Sequence, residues 1–147
     1  MGTHYKGSDD ERRVLDAYIK LMRATESMTA RLNRHLADAN LTISQFGVLE
    51  ALLHLGPLNQ RSLGEKLLKS GGNITMVIDN LEKHDLVRRE RDPDDRRSVL
   101  IHLTDKGHSY ITDFFPKHLN KIMDEFSCLT ADETKELGRI CKKLGKK

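Results

Sequence analysis

Tryptophan is absent from this sequence, and aromatic residues of all kinds make up only 5% of it. A 147-residue chain with so few large rings has a thin core, and chains of that kind often gain burial by pairing with another subunit. Cysteine occurs twice, at Cys128 and Cys141, far apart and with no C-x-x-C spacing. That pattern suggests reduced thiols in a cytosol rather than a disulfide framework. No apolar run approaches the roughly 18 residues of a membrane span. The opening MGTHYKGSDDE carries no apolar signal segment, and Lys6 stands where a myristoylation signal needs Ser or Thr. A cytoplasmic location away from membranes is therefore expected. Charge of one sign is also scarce, with a net +3 from 25 basic and 22 acidic residues. Between Asn59 and Lys106 ten basic residues face nine acidic ones, so any case for a nucleic-acid partner rests on where charges stand, not on totals.

Catalytic signatures are missing as well. The seven histidines form no H-E-x-x-H, no glycine-rich phosphate loop follows a strand, and there is no G-x-S-x-G. His108 and His118 lie ten apart around Pro116, which is not ligand spacing on one helix. An enzyme, a cofactor and a resident metal are therefore not expected.

What the sequence does contain is punctuated helix. Ser8-Asp9-Asp10-Glu11 is a capping box, followed by Leu15, Tyr18, Met22, Thr25, Thr29, Leu32 and Leu36 in alternating steps of three and four. This spacing predicts a helix from about Asp9 to Ala39, too long to hide in a small monomer's core and suited to packing along a partner. Asn40 closes it in the left-handed conformation. Thr42 to Gln45 is a second capping box, opening a heavily buried helix with Phe46, Val48, Leu49, Leu52, Leu53 and Leu55, which Gly56-Pro57 stops. Asn59 or Ser62 starts a short helix carrying Leu63, Leu67 and Leu68. After Ser70-Gly71-Gly72-Asn73, the stripe Ile74, Val77, Ile78, Leu81 marks another helix. Two strand-like pieces then flank Asp-Pro-Asp-Asp-Arg-Arg, with Val99, Ile101 and Leu103 forming a buried face. Thr104-Asp105-Lys106 opens a long helix that Pro116 should kink. Thr130 to Glu133, a third capping box, opens the last helix, with Leu137, Ile140, Cys141 and Leu144.

Short helix, turn, second helix and hairpin make a winged helix-turn-helix. The expected fold is mainly α with a small β-hairpin wing, plus a helical dimerisation region. Residues 41–107 are expected to form the DNA-binding part and residues 1–40 with 108–147 the dimerisation part, a division that the family resemblance described next implies. In the second helix Asn73, Thr75, Met76, Asp79 and Asn80 are left facing out. A recognition helix puts its N-terminal residues on base edges in the major groove. Asn73 suits adenine or a phosphate, Thr75 a phosphate or a thymine methyl, and Gly71 and Gly72 allow close backbone approach. The wing tip brings Arg96 and Arg97 beside the minor groove, whose negative potential attracts arginine, with an aspartate bracing the guanidinium.

The stretch LTISQFGVLEALLHLGPLNQRSLGEKLLKSGGNITMVIDNLEKHDLVRRERDPDDRRSVLIHLTDKG, with the LTADE motif at Leu129 to Glu133, resembles the MarR family of bacterial transcription regulators. The wing motif Asp-Pro-x-Asp-x-Arg, followed by a strand and Leu-Thr-x-x-Gly, carries most of the likeness. The resemblance implies a dimer with interlocked terminal helices that binds pseudo-palindromic double-stranded DNA, usually as a repressor. It implies release by small phenolic or aromatic ligands or by thiol oxidation. It places the minor-groove arginine on Arg97, its bracing aspartate on Asp95, and the main helix contacts on Ser70 and Asn73 to Met76. Asp85 departs from the family's common Gly, and Gly-Gly-Asn-Ile-Thr resembles the branch that answers quinones and related electrophiles.

For a ligand pocket, Tyr18, Met22, His35 and His54 are the polar or polarizable candidates on the first two helices. Cys141, beside Lys142 and Lys143, and Cys128 are the candidates for a thiol-redox switch. A winged-helix module for protein interaction is the remaining alternative. Arg96 and Arg97 argue against it, and Asp79 argues mildly for it.

Overall fold

The computed structural model describes residues 2–67 and 71–146. In chain order the elements are α1 (Asp9–Asp38), α2 (Ile43–Leu55), β1 (Leu58–Asn59), α3 (Gln60–Lys66), α4 (Gly71–Lys83), β2 (Val87–Arg91), β3 (Val99–Leu103), α5 (Asp105–Phe126) and α6 (Ala131–Gly145). The three capping boxes form as read: Ser8 with Glu11, Thr42 with Gln45 and Thr130 with Glu133 each exchange side-chain and backbone bonds. Asn59 caps α3 through a 2.8 Å bond from the Ser62 amide. Leu68 and Ser70 lie outside the described residues.

Two helices end in the same device. Asn40 (φ 58°) and Asp85 (φ 60°) take the left-handed conformation. Behind them the Leu41 amide donates to the Leu36 carbonyl (2.9 Å) and the Leu86 amide to the Leu81 carbonyl (3.0 Å). The Asn40 and Asp85 amides donate to Ala37 and Glu82, completing a Schellman motif at each end. In both cases the two leucines that the motif brings together are buried. Asp85, at a position where the resemblance implies glycine, takes the left-handed conformation that Asp and Asn visit more readily than other non-glycine residues.

The core lies almost wholly between Leu41 and Phe114. Val48, Leu49, Ala51 and Leu52 of α2 are buried with Leu63, Ile74, Ile78, Leu81, Val87, Ile101 and Ile111. Each fully buried side chain of this size contributes about 1.5–3 kcal/mol. α2 touches α1, α4, α5 and β3, which explains why its apolar residues are spread around the helix instead of along one stripe. Leu55 is the exception to its expected burial: at the helix end it is 56% exposed. From α1 only Leu36 is fully buried, and no residue of α6 is.

The sheet has three antiparallel strands in the order β1-β3-β2. β1 is too short to carry an alternating pattern, so the sequence showed only the hairpin. Leu58 pairs with Ile101, tying the start of α3 to the middle strand of the wing. Val99 stands at the exposed end of β3, so the buried face of that strand centres on Ile101. α5 runs as one helix from Asp105 to Phe126, with Pro116 inside it.

The Leu-Thr-x-x-Gly motif locks the wing to α5. The Thr104 hydroxyl donates to the Asp85 carbonyl (2.6 Å) and accepts from the Gly107 amide (2.9 Å). The Thr104 amide donates to the Leu86 carbonyl at 3.1 Å. Gly107 packs so closely on this turn that a Cβ there would stand 1.9 Å from the Leu86 carbonyl oxygen.

Candidate nucleic-acid interface

α4 buries Ile74, Ile78 and Leu81 and turns Asn73, Met76, Asp79 and Asn80 outward, with Met76 65% exposed. Its first turn carries no acidic residue, so no carboxylate within that turn opposes an anion at the positive end of the helix dipole. Gly71 and Gly72 lie inside this first turn. A Cβ at Gly72 would meet nothing within 4 Å, so packing inside the protein does not require glycine there. Thr75 departs from the outward-facing expectation. It is half-buried, and its hydroxyl accepts a bond from the Gln60 carboxamide at the start of α3. That contact fastens α3 to α4. Ser70 lies outside the described residues.

The wing tip is held by its own acidic turn. The Asp92 amide donates to the Ser98 carbonyl (3.0 Å), and the Asp92 carboxylate accepts from the Asp94 amide (2.9 Å). Arg96 and Arg97 are exposed. The Asp95 carboxylate accepts from the backbone amide of Arg97 at 3.0 Å. Asp95 therefore shapes the turn that presents Arg97; the expected brace on its guanidinium is not formed, and Arg97 makes no ion pair among the described residues.

At the wing's base, Arg88 bonds the Glu90 carboxylate (2.6 Å) and the Leu103 carbonyl (3.0 Å). The hydrogen bond from Arg88 holds the Glu90 carboxyl below its usual range. Arg89 bridges two carboxylates of α4, Asp79 at 2.7 Å and Glu82 at 2.9 Å.

The four pocket candidates do not assemble. Tyr18 and Met22 are 58% and 49% exposed on the N-terminal half of α1. Tyr18 and His35 are 17 positions apart on one helix, roughly 25 Å at 1.5 Å per residue. His35 and His54 instead flank an aromatic cluster between α1, α2 and α5. His35 stacks on Phe114 and His118, Phe46 packs against Phe114, Phe115 and His118, and His54 meets the edge of Phe115. The Nδ1 atoms of His35 and His118 are 2.9 Å apart, so one ring donates to the other. No spacing in the sequence announces this pair, because its partners are 83 residues apart.

His118 is only 3% exposed. Burial first, and then the neighbouring His35, push its pKa below the 6.5 of a free imidazole. The unfolded chain thus takes up a proton at a pH where the folded ring refuses it. The contribution of His118 to stability is complete above about pH 6.5 and is lost as the pH falls from there through the folded-state pKa. Thermal melts from pH 8 to pH 5 are expected to show this decline, and His118→Leu is expected to flatten it. An equal decline in the variant would assign it to other groups.

Both cysteines are exposed and unpaired. No group of three His, Cys, Asp or Glu suited to a metal occurs among the described residues, and none of their helices is long and apolar enough to cross a membrane.

An outward-facing second helix beside an arginine-tipped hairpin defines the class: a winged helix-turn-helix protein that binds DNA. The MarR family model matches residues 41–99, the stretch from the start of the core to the second wing strand. The HTH-type transcriptional regulators YkoM and MhqR of Bacillus subtilis are 37% and 34% identical to the chain. The matches cover 93% of this chain and 89% of YkoM, and 89% and 90% for MhqR. The crystal structure of a mutant MarR from E. coli complexed with operator DNA aligns with a TM-score of 0.78 at 25% identity, over 93% of this chain and 99% of that one. The protein belongs to the MarR family; it is a DNA-binding transcriptional regulator and not an enzyme.

Proposed function

We propose that the protein is a homodimeric repressor whose two α4 helices read successive major grooves of a pseudo-palindromic operator. The observation that carries this reading is the division of the molecule's surfaces. Residues 41–107 hold nearly the whole core and present α4 and the wing. Residues 1–40 and 108–147 carry large apolar side chains that the described residues leave substantially exposed: Val14, Tyr18 and Met22 on α1, and Leu137, Ile140 and Leu144 on α6. A two-fold pairing through those faces sets the spacing of the two reading helices, which must be about 34 Å to match one DNA turn.

On DNA, Asn73 and Met76 approach base edges, Gly71 and Gly72 let the backbone close on a phosphate, and Arg96 and Arg97 reach the minor groove from a turn shaped by Asp95. Arg97→Ala is expected to weaken operator binding by about 1–3 kcal/mol. Equilibrium titration at moderate salt measures this; unchanged affinity removes Arg97 from the interface.

The effector we propose is a small aromatic compound of phenolic or quinone-like character. The aromatic cluster of Phe46, Phe114 and Phe115, edged by His35, His54 and His118, supports it: the cluster joins α1, α2 and α5, where a wedged ring changes how the paired helices meet the reading lobe. Such a ligand needs only a different affinity for the two arrangements to shift their populations. Selection of bound fragments from a random DNA pool, repeated with phenols and quinones, tests operator symmetry and release together. Enrichment of inverted repeats that these compounds abolish is the expected result. Asymmetric fragments, or binding indifferent to every aromatic compound, would refute the corresponding half.

A further inference from the structure

We infer that Arg89 is a positioning and charge-cancelling residue for the reading helix, and that DNA affinity depends on it although it lies behind the DNA-facing surface. The inference rests on the reading of α4 as the helix that meets DNA.

α4 carries Asp79, Glu82 and Lys83, and so has a net charge of −1 of its own. Asp79 is exposed and stands three residues beyond Met76, on the outward side of the helix. A helix with this balance is repelled by a polyanion. The correction comes from the neighbouring strand. Val87 and Arg89 share one face of β2, because strand side chains alternate. Val87 is buried against the core, so the next side chain on that face is directed at α4. Arg89 reaches across with Nη2 on Asp79 (2.7 Å) and Nη1 on Glu82 (2.9 Å), and its backbone amide donates to the second Glu82 oxygen (3.2 Å). Its side chain is only 26% exposed, whereas Asp79 and Glu82 are more open.

Two consequences follow from one guanidinium spread over two carboxylates. The bridge fixes the rotation of α4 relative to the base of the wing, and hence the angle between the two DNA-reaching elements. It also offsets the negative charge that Asp79 would otherwise present beside the phosphates. Arginine suits both tasks because its planar fork bonds two acceptors at once, which a lysine cannot do with the same geometry.

Operator binding by Arg89→Ala, by Asp79→Asn/Glu82→Gln and by the triple variant tests this, over a range of salt. Arg89→Ala is expected to bind roughly tenfold or more weakly at low salt, as exposed like charges face the DNA. Its deficit should shrink as salt rises and the screening length falls from about 10 Å at 0.1 M toward about 3 Å at 1 M. The triple variant, with both carboxylates neutralised, should recover the salt-sensitive part of the lost affinity but not the part that depends on the bridge holding α4, and Arg89→Lys should fall between wild type and Arg89→Ala. A deficit that neither salt nor neutralisation relieves overturns the charge-cancelling role, and wild-type affinity in Arg89→Ala overturns the whole inference. Asn73→Ala, run in parallel, separates the two levels: if it weakens binding while Arg89→Ala does not, only this inference fails. If Asn73→Ala has no effect, the reading of α4 fails with it.

Discussion

Ile140→Asp is expected to sediment as a monomer at micromolar concentration and to lose operator affinity by roughly 100-fold or more. The reason lies in α6, whose described residues are all exposed while Leu137, Ile140 and Leu144 form an apolar stripe. A 15-residue helix is marginal in water unless a face of it is covered. Covering one side chain of this size is worth about 1.5–3 kcal/mol, and in the proposed two-fold dimer each substitution stands in the interface twice. An aspartate there forfeits that burial and adds a charge that must be desolvated. Two linked reading heads bind far more tightly than one, so loss of pairing carries over to DNA even though α4 and the wing are untouched. Sedimentation equilibrium with a parallel DNA titration measures both effects. A variant that remains a dimer would move the pairing face away from α6.

Gly107→Ala is expected to be among the most destabilising single-methyl changes in the chain. The added Cβ would lie 1.9 Å from the Leu86 carbonyl oxygen and 2.8 Å from its carbon. These are backbone atoms, fixed by the Schellman turn at Asp85 and by the Thr104 bonds, so no side chain can swing aside. Overpacking costs typically 1–3 kcal/mol, and this site belongs at about 3 kcal/mol. For a chain of this size that lowers Tm by about 10 °C. Gly72→Ala is the contrast. A Cβ there meets nothing within 4 Å, so stability should hold or rise by about 0.5–1 kcal/mol. Its effect should appear instead in DNA binding, if the helix backbone closes on a phosphate. Calorimetry on both variants checks this; equal Tm values would contradict the packing described at the wing's base.

Most of the fold was legible because its signals are local. Capping boxes, the left-handed Asn40, the stripe on α4 and the Asp-Pro turn each involve residues within one or two helical turns of one another, where local backbone chemistry decides the outcome. What could not be read depends on residues far apart in the chain. β1 exists only because β3 lies beside it. Gln60 on α3 holds Thr75 on α4, so a residue that looked outward by periodicity is partly turned in. His35 finds His118 from the other long helix, and the supposed pocket divides into an aromatic cluster at one end of α1 and an uncovered face at the other. No local signal in the sequence marks Arg89, and only the tertiary arrangement shows it bridging to Asp79 and Glu82 of α4. The wing shows the limit of a motif: Asp95 and Arg97 do associate, but the aspartate binds a backbone amide and shapes the turn instead of holding the guanidinium.

Hydroxyl-radical footprinting on a DNA fragment enriched from the random pool tests the central claim most directly. Two protected patches related by a dyad, centred about one helical turn apart and flanked by minor-groove protection that Arg97→Ala removes, are the expected result. A single unsymmetrical patch, or a pattern that Arg97→Ala leaves unchanged, would contradict a paired body presenting one α4 and one wing from each half.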